Sequence, residues 1–341
     1  MRAIGMFRSK PLTDPDALQD VELPAPELRP RDLLVRVKAV SVNPVDTKVR
    51  GLRVKEELTT PRVLGFDGAG IVETVGPECT MFKPGDAVYF AGDVTRNGSN
   101  AELVAIDERI VARKPASLDF PEAAALPLTT LTAWEAIHER IGFSRDPGAN
   151  AHRSLLIING AGGVGSIAIQ LAKLAGLTVI ATASRPESAE WCRSLGADHV
   201  IDHRDLAPAL KQAGFPTVDA IFCCASTDSY FKPAAELIAP QGTVCFIVAN
   251  AEPADAAIYQ PKSVRIAWEY MFTRPQFTTP DILVQHEILS ETARLVDEGL
   301  VRTTLTRTLE PINAATLLQA HQLVESGKMV GKVVVAGEFR S

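Results

Sequence analysis

The chain has 341 residues, 46% of them hydrophobic and 22% charged, with 35 Lys and Arg against 41 Asp and Glu. That is long for one core, so two domains are expected, and a formal charge of −6 with no basic block argues against nucleic acid as a partner. No window approaches the ~20 apolar residues that cross a bilayer, and residues 1–10 do not form a secretory leader, so a cytoplasmic protein without membrane attachment is expected.

The first third reads as β structure. Residues 33–40 and 70–75 alternate apolar with polar side chains, and turns separate them: Pro24, Pro26 and Pro30 before the first, Lys83 to Asp86 after the second. Short strands at this spacing suggest a small barrel. Near Pro127 the character changes to helical over 129–141, followed by a loop over 145–150. Strands are then predicted near 155–159, 178–182, 199–202, 220–224, 243–248 and 265–272. Helices fall between them near 163–175, 187–195, 205–213, 230–237 and 252–259. Continuous apolar strands flanked by helices indicate a doubly wound parallel sheet covered on both faces, an α/β fold. Beyond it come a helix over 281–299, a strand over 303–309, a helix over 313–326 and a strand over 331–336. This tail has too little core to stand alone, so it is expected to complete the N-terminal domain.

Cys79, Cys192, Cys223, Cys224 and Cys245 contain no CxxC pair. They read as reduced, mostly buried thiols, neither a disulfide framework nor a zinc finger.

The strongest feature is a GxGxxG turn, Gly160, Gly162 and Gly165, directly after one strand and directly before a helix. Gly160 suits the tight turn. Gly162 and Gly163, with Val164 behind them, let backbone N–H groups approach a pyrophosphate at the helix N-terminus, and Gly165 lets the helix lie close to its strand. NAD-preferring sites place a carboxylate about 20 residues beyond such glycines. Ala183, Ser184 and Arg185 stand there, and a hydroxyl with a guanidinium suits the 2′-phosphate of NADP(H). The alternative is that Arg185 is a solvated loop residue and Glu187 contacts the ribose.

With these residues in place, the chain resembles the medium-chain dehydrogenase/reductase superfamily, in particular its quinone oxidoreductase (zeta-crystallin-like) and "zinc-type alcohol dehydrogenase-like" branch. The marks are SVNPVDTKVR (41–50), LGFDGAGIV (64–72), FKPGDAV (82–88), ALPLTTLTAW (125–134), the glycine turn with QLAK (170–173), LGADHVI (195–201) and GKVV (331–334). The resemblance covers essentially the whole chain. It implies a GroES-like β-barrel substrate domain, 1–128 completed by 276–341, with a Rossmann NADP-binding domain, 129–275, inserted in it.

Alcohol dehydrogenases of that superfamily hold a catalytic zinc with a Cys in the first motif and a His in the second. Asn43 and Phe66 occupy the matching positions, residues 128–130 offer neither Cys nor His, and residues 92–102 lack the four-cysteine structural loop. Asp46 and Asp67 remain, but two carboxylates without thiolate or imidazole partners make no zinc site, so the chain is expected to be zinc-free.

Without a metal to acidify an alcohol, reduction of a quinone or conjugated carbonyl is the easier direction, since the acceptor is already electrophilic. Asn43 is the first candidate for catalysis, its loop facing the nicotinamide by resemblance; a turn-stabilising role before Pro44 is the alternative. Asp46 is carried with it, more as a brace than as a proton donor. Thr129 is a candidate contact to the nicotinamide ribose. By resemblance His203 lies beside the adenine, a solvated loop histidine being the alternative. Phe272 and Thr273, at the end of the sixth strand, lie near where the family closes the nicotinamide pocket, Phe272 as plain core being the alternative. Lys332 of GKVV is carried as a cofactor-side residue, while Lys48 and Arg50 read as surface charges. Two other functions fit the same motifs: a secondary-alcohol dehydrogenase with residual metal at Asp46 and Asp67, and a non-catalytic NADPH-binding protein. The partner expected is a small-molecule substrate. The sixth strand, 263–272, should lie at the sheet edge and pair across a two-fold axis into a homodimer, as the family does.

Overall fold

The structure, a computed structural model, describes residues 1–340. It divides into two compact units, 1–128 with 272–341 and 129–271.

The first unit is built on a seven-stranded sheet. Its order is Leu305–Leu309, Lys332–Ala336, Asp32–Ser41, Gly68–Val75, Ala87–Phe90 and Val111–Arg113, with Leu103–Asp107 also pairing to Asp32–Ser41. All pairs are antiparallel except the first, which is parallel. Val35, Val37 and Ala39 of the long central strand are buried, as their alternate spacing predicts, and Val40 and Ser41 at its end are buried as well. Two registers matter for the site. Val334 lies opposite Ser41, which carries Lys332 to the level of Asn43; Val40 opposite Gly68 carries Asp67 to the level of Ser41. A smaller three-stranded sheet joins Gln19–Glu22, Arg2–Met6 and Arg62–Val63.

The second unit is a six-stranded parallel sheet. Its order is His199–Ile201, Thr178–Thr182, Ser154–Ile158, Val218–Cys223, Ile238–Phe246 and Arg265–Trp268. The order reverses beside Ser154–Ile158, every residue of which is buried. Helices Gly163–Leu174, Pro186–Ser194, Leu206–Gln212 and Thr227–Leu237 connect the strands. Ligands of such sheets bind at the carboxyl ends of the strands, at this reversal.

Several expected boundaries move. The helix predicted over 129–141 begins at Pro127, and from Glu135 to Arg140 its turns widen to π-type. The segment 252–259 is not an α-helix; a 3₁₀ stretch, Ala256–Lys262, follows the Asp255 cap and contains Pro261. The sixth strand stops at Trp268 instead of reaching 272. The residues after it turn inward: Glu269 accepts from Arg140 Nε at 2.9 Å, and Met271 and Phe272 are buried. Phe272 therefore caps the short helix Thr273–Phe277 and does not end a strand. Arg265–Trp268 is nevertheless the sheet edge, and among the described residues no helix is long and apolar enough to cross a membrane.

Candidate functional site

The glycine turn leaves Ser154–Ile158 through Asn159, whose backbone is left-handed at φ 66°. Asn is among the few non-glycine residues that enter this region readily, and here its Nδ2 also donates across to the Cys224 carbonyl, at the end of the neighbouring strand, at 3.2 Å. A Cβ on Gly160 would lie 2.7 Å from that of Ala181, and one on Gly165 would lie 2.3 Å from the Asn159 carbonyl oxygen. Both positions thus require glycine for close approach. Gly162 caps the helix Gly163–Leu174, so the N–H groups of its first turn have no helical acceptor. Gly162, Gly163 and Val164 are only half-buried, which leaves those donors approachable. An anion fits this cradle.

Neighbouring strand ends bring three more candidates, Ser184, Arg185 and His203, to the same edge. Ala183 donates its N–H to the Ile201 carbonyl at 3.0 Å, joining the segment that carries Ser184 and Arg185 to the segment that leads to His203. Ser184 is exposed, and Arg185 is half-buried at the N-cap of Pro186–Ser194. His203 is exposed on a 3₁₀ turn beside Asp202, whose carboxylate is held by Arg204 and lies well below its ordinary range, to about 2. Thr129 is buried in this unit. Glu187, the other ribose candidate, is exposed in the first turn after Arg185.

In the first unit the structure gathers Asn43, Asp46, Asp67 and Lys332 into one buried node. Asn43 donates from Nδ2 to Asp67 Oδ2 at 2.7 Å, and its Oδ1 accepts from Lys332 Nζ. Lys332 Nζ also donates to the Val42 carbonyl at 3.1 Å and to Asp67 Oδ2 at 3.2 Å. Asp67 Oδ1 accepts from the Leu128 N–H at 2.8 Å. Asp46 faces the other way round its helix: Oδ2 accepts from the Asn43 N–H at 2.8 Å, and Oδ1 from the Gly65 N–H at 3.1 Å. The first of these bonds closes a capping box on Pro44–Lys48.

Burial dominates the titration of the node. It raises Asp46 to about 7 and raises Asp67, the latter against the pull of the Lys332 ammonium. It lowers Lys332, which Asp67 counteracts. Each partner is driven toward its neutral form by desolvation and back by the other.

Phe66 stacks edge-on against Phe272, ring centres 5.3 Å apart, and both rings are buried. Thr273 opens the helix after Phe272. Arg50 is not the surface charge its sequence context suggests. It is 2% exposed, donates to the Lys10 carbonyl at 3.1 Å and pairs with Glu325. A separate cavity of about 140 Å³, lined by Arg29, Asp93, Arg96 and Gln276, touches none of the sequence candidates and is too small for a dinucleotide.

Sequence reasoning carried Lys332 without its partners and did not single out Asn159. A lysine opening an otherwise apolar strand, GKVVVA, was the available signal, since a buried ammonium demands anions around it.

Residues 29–116 match the family model of the alcohol dehydrogenase GroES-like domain, and residues 163–277 match that of the zinc-binding dehydrogenases. A Staphylococcus aureus "zinc-type alcohol dehydrogenase-like protein" is 44% identical over 336 residues, covering 98% of this chain and 99% of the relative. A Rhizobium etli structure, described provisionally as a zinc-dependent alcohol dehydrogenase protein, superposes with a TM-score of 0.94. It shares 51% identity and covers 100% of this chain and 99% of its own. The chloroplastic "NADPH-dependent alkenal/one oxidoreductase" of Arabidopsis thaliana is 37% identical over 230 residues, 64% of this chain and 57% of that protein.

Proposed function

Because this chain belongs to the medium-chain dehydrogenase/reductase superfamily of oxidoreductases, we propose that it is an NADPH-dependent reductase that delivers hydride, without a metal, to α,β-unsaturated carbonyl compounds or quinones. The observation that carries this reading is the donor set where zinc-bearing relatives keep their ligands. Phe66 has no donor atom and Asn43 offers a weakly ligating amide. That amide is already bonded at both ends, to Asp67 and to the Lys332 ammonium. A zinc ion does not fit these residues, since the ammonium on the same Asp67 oxygen would repel it. The route to an alkoxide is then lost, and an acceptor that is electrophilic from the start is favoured. A quinone and an enone share that electrophilic character, and the similarity to the Arabidopsis alkenal/one oxidoreductase supports the same class.

The glycine cradle fits a dinucleotide. When bound, NADPH supplies the hydride. The N–H groups of Gly163 and Val164 would hold its pyrophosphate, with Gly162, whose own N–H donates to the Asn159 carbonyl, giving the backbone room to approach. Ser184 and Arg185 would hold its 2′-phosphate, with His203 beside the adenine and Thr129 beside the nicotinamide ribose. Phe66, Phe272 and Thr273 would give the reacting end a largely apolar wall, which excludes water and strengthens every remaining dipole. Asn43 and Asp46 hold the loop over 41–50 in one conformation.

The test is NADPH oxidation against 1,4-benzoquinone, trans-2-hexenal and 2-hexanone, before and after dialysis against a strong chelator. Turnover with the quinone or the enal, weak turnover with the saturated ketone and indifference to the chelator are expected. Turnover confined to the saturated ketone and lost with the metal would overturn the reading.

The assembly proposed is a homodimer through the edge strand. Among the described residues Arg265–Trp268 has one side without a strand neighbour, and Trp268 at its end is 48% exposed, with Tyr270 just beyond it at 37%.

A further inference from the structure

We propose that the ammonium of Lys332 is the built-in cation of this site, standing inside the chain where zinc-bearing relatives place a metal. In this role Lys332 is a positioning residue that fixes Asn43 and Asp67, and not a contact to the cofactor. The inference rests on the metal-free reading above.

A lysine ammonium has three protons to donate. All three have acceptors within the node: the Val42 carbonyl, Asn43 Oδ1 and Asp67 Oδ2. No proton is left for a phosphate or a ribose. The side chain is 4% exposed and that of Asp67 0%, so neither group meets solvent. A buried ammonium without an anion would be strongly unfavourable, and so would a buried carboxylate without a cation. Each is therefore held by the other.

The pairing follows from the sheet. Lys332 opens the strand that runs beside Asp32–Ser41, and the Val334–Ser41 register sets it level with Asn43. The neighbouring Val40–Gly68 register sets Asp67 level with Ser41, from where its carboxylate reaches the Asn43 amide. Asn43 is gripped between them, its oxygen by the cation and its nitrogen by the anion. An amide held at both ends cannot rotate, so the start of Pro44–Lys48 has a fixed direction. A metal at this place would join the same segments, around 43, around 66 and at 128. The Leu128 N–H on Asp67 shows that the third segment is tied in as well.

The experiment uses Lys332→Met, Asp67→Asn and the double variant, with thermal unfolding, NADPH fluorescence titration and NADPH oxidation by 1,4-benzoquinone as readouts. Each single variant should lower the unfolding midpoint. The double variant, which removes both charges, should lose less than the sum of the two, because the charges are coupled. It also keeps a folded protein available if Lys332→Met alone does not fold. NADPH affinity of the double variant should stay within about threefold of wild type, while kcat falls by about tenfold or more with the quinone KM little changed, the pattern of a lost positioning effect. Additive losses in the unfolding cycle would overturn the proposal. So would NADPH binding weakened by about tenfold in a variant that melts like wild type, which would make Lys332 a cofactor contact. Failure of the wild type to oxidise NADPH with any acceptor would defeat the reductase reading instead, and the unfolding cycle and NADPH titration would still decide the role of Lys332.

Discussion

Gly165 passes so close beneath Asn159 that a single added carbon on Gly165 would sit 2.3 Å from the Asn159 carbonyl oxygen. The obstacle is backbone, which cannot swing aside as a side chain can. Gly165→Ala should push the helix Gly163–Leu174 off its strand at a cost of about 1–3 kcal/mol, the range for overpacking. Thermal unfolding should show the loss, and fluorescence titration a weaker NADPH complex. A variant that binds NADPH as wild type does would remove the glycine turn from the cofactor site.

The proposed contact of Arg185 to the 2′-phosphate predicts a difference between the two dinucleotides. Arg185→Ala should weaken NADPH by about 1.5–3 kcal/mol, the range for hydrogen bonds to charged groups, and leave NADH nearly unchanged. Equal loss for both, or a wild-type preference for NADH, would make Arg185 a bystander.

Asp46 predicts a pH dependence of stability. Its carboxyl holds its proton to about pH 7 when folded, against 3.8 as the reference value. A raised carboxylate contributes stability fully below the unfolded value and loses it as pH rises through the folded one. The unfolding midpoint of wild type should therefore carry a component that falls between about pH 4 and pH 8 and that is missing in Asp46→Asn. Parallel curves for the two proteins would show that Asp46 is ionised throughout.

The edge strand can be tested by light scattering. Wild type should be a dimer at micromolar concentration, and Ile266→Pro, which removes one backbone donor from Arg265–Trp268, should dissociate it if that amide faces the partner. Trp268→Asp places a charge on the same edge and should act in the same direction. A monomeric wild type would end the assembly proposal.

Local pattern made the parallel sheet legible. Its apolar strands and its glycine turn each lie within a few consecutive residues, and all six strands overlap the spans the periodicity predicts, although the fifth begins earlier, at Ile238, and the sixth ends at Trp268. What the pattern could not show depends on distant neighbours. The sixth strand stops at Trp268 because Glu269 finds Arg140, which lies 129 positions earlier. Arg50 looked solvated until Glu325 came to meet it from 275 positions away. The node is the extreme case: Asn43, Asp67 and Lys332 were all visible as letters, but only the registers on either side of Asp32–Ser41 bring them together.

The discontinuity of the first unit has a kinetic consequence. Ser41 Oγ donates to the Val333 carbonyl, 292 positions further along the chain. A ribosome releases the whole parallel sheet, 129–271, before it releases Lys332. That sheet has every strand it needs and can form during synthesis. The seven-stranded sheet must instead keep the end of its central strand, Ala39–Ser41, unpaired on one side until Lys332–Ala336 arrives, although residues 32–36 already pair with 103–107. Until then Asp67 has no ammonium and Asn43 has nothing on its oxygen, so nascent chains should expose an unfinished edge that is a target for chaperones. Slow synthesis or early termination between residues 272 and 331 would leave a complete parallel sheet attached to an unclosed partner.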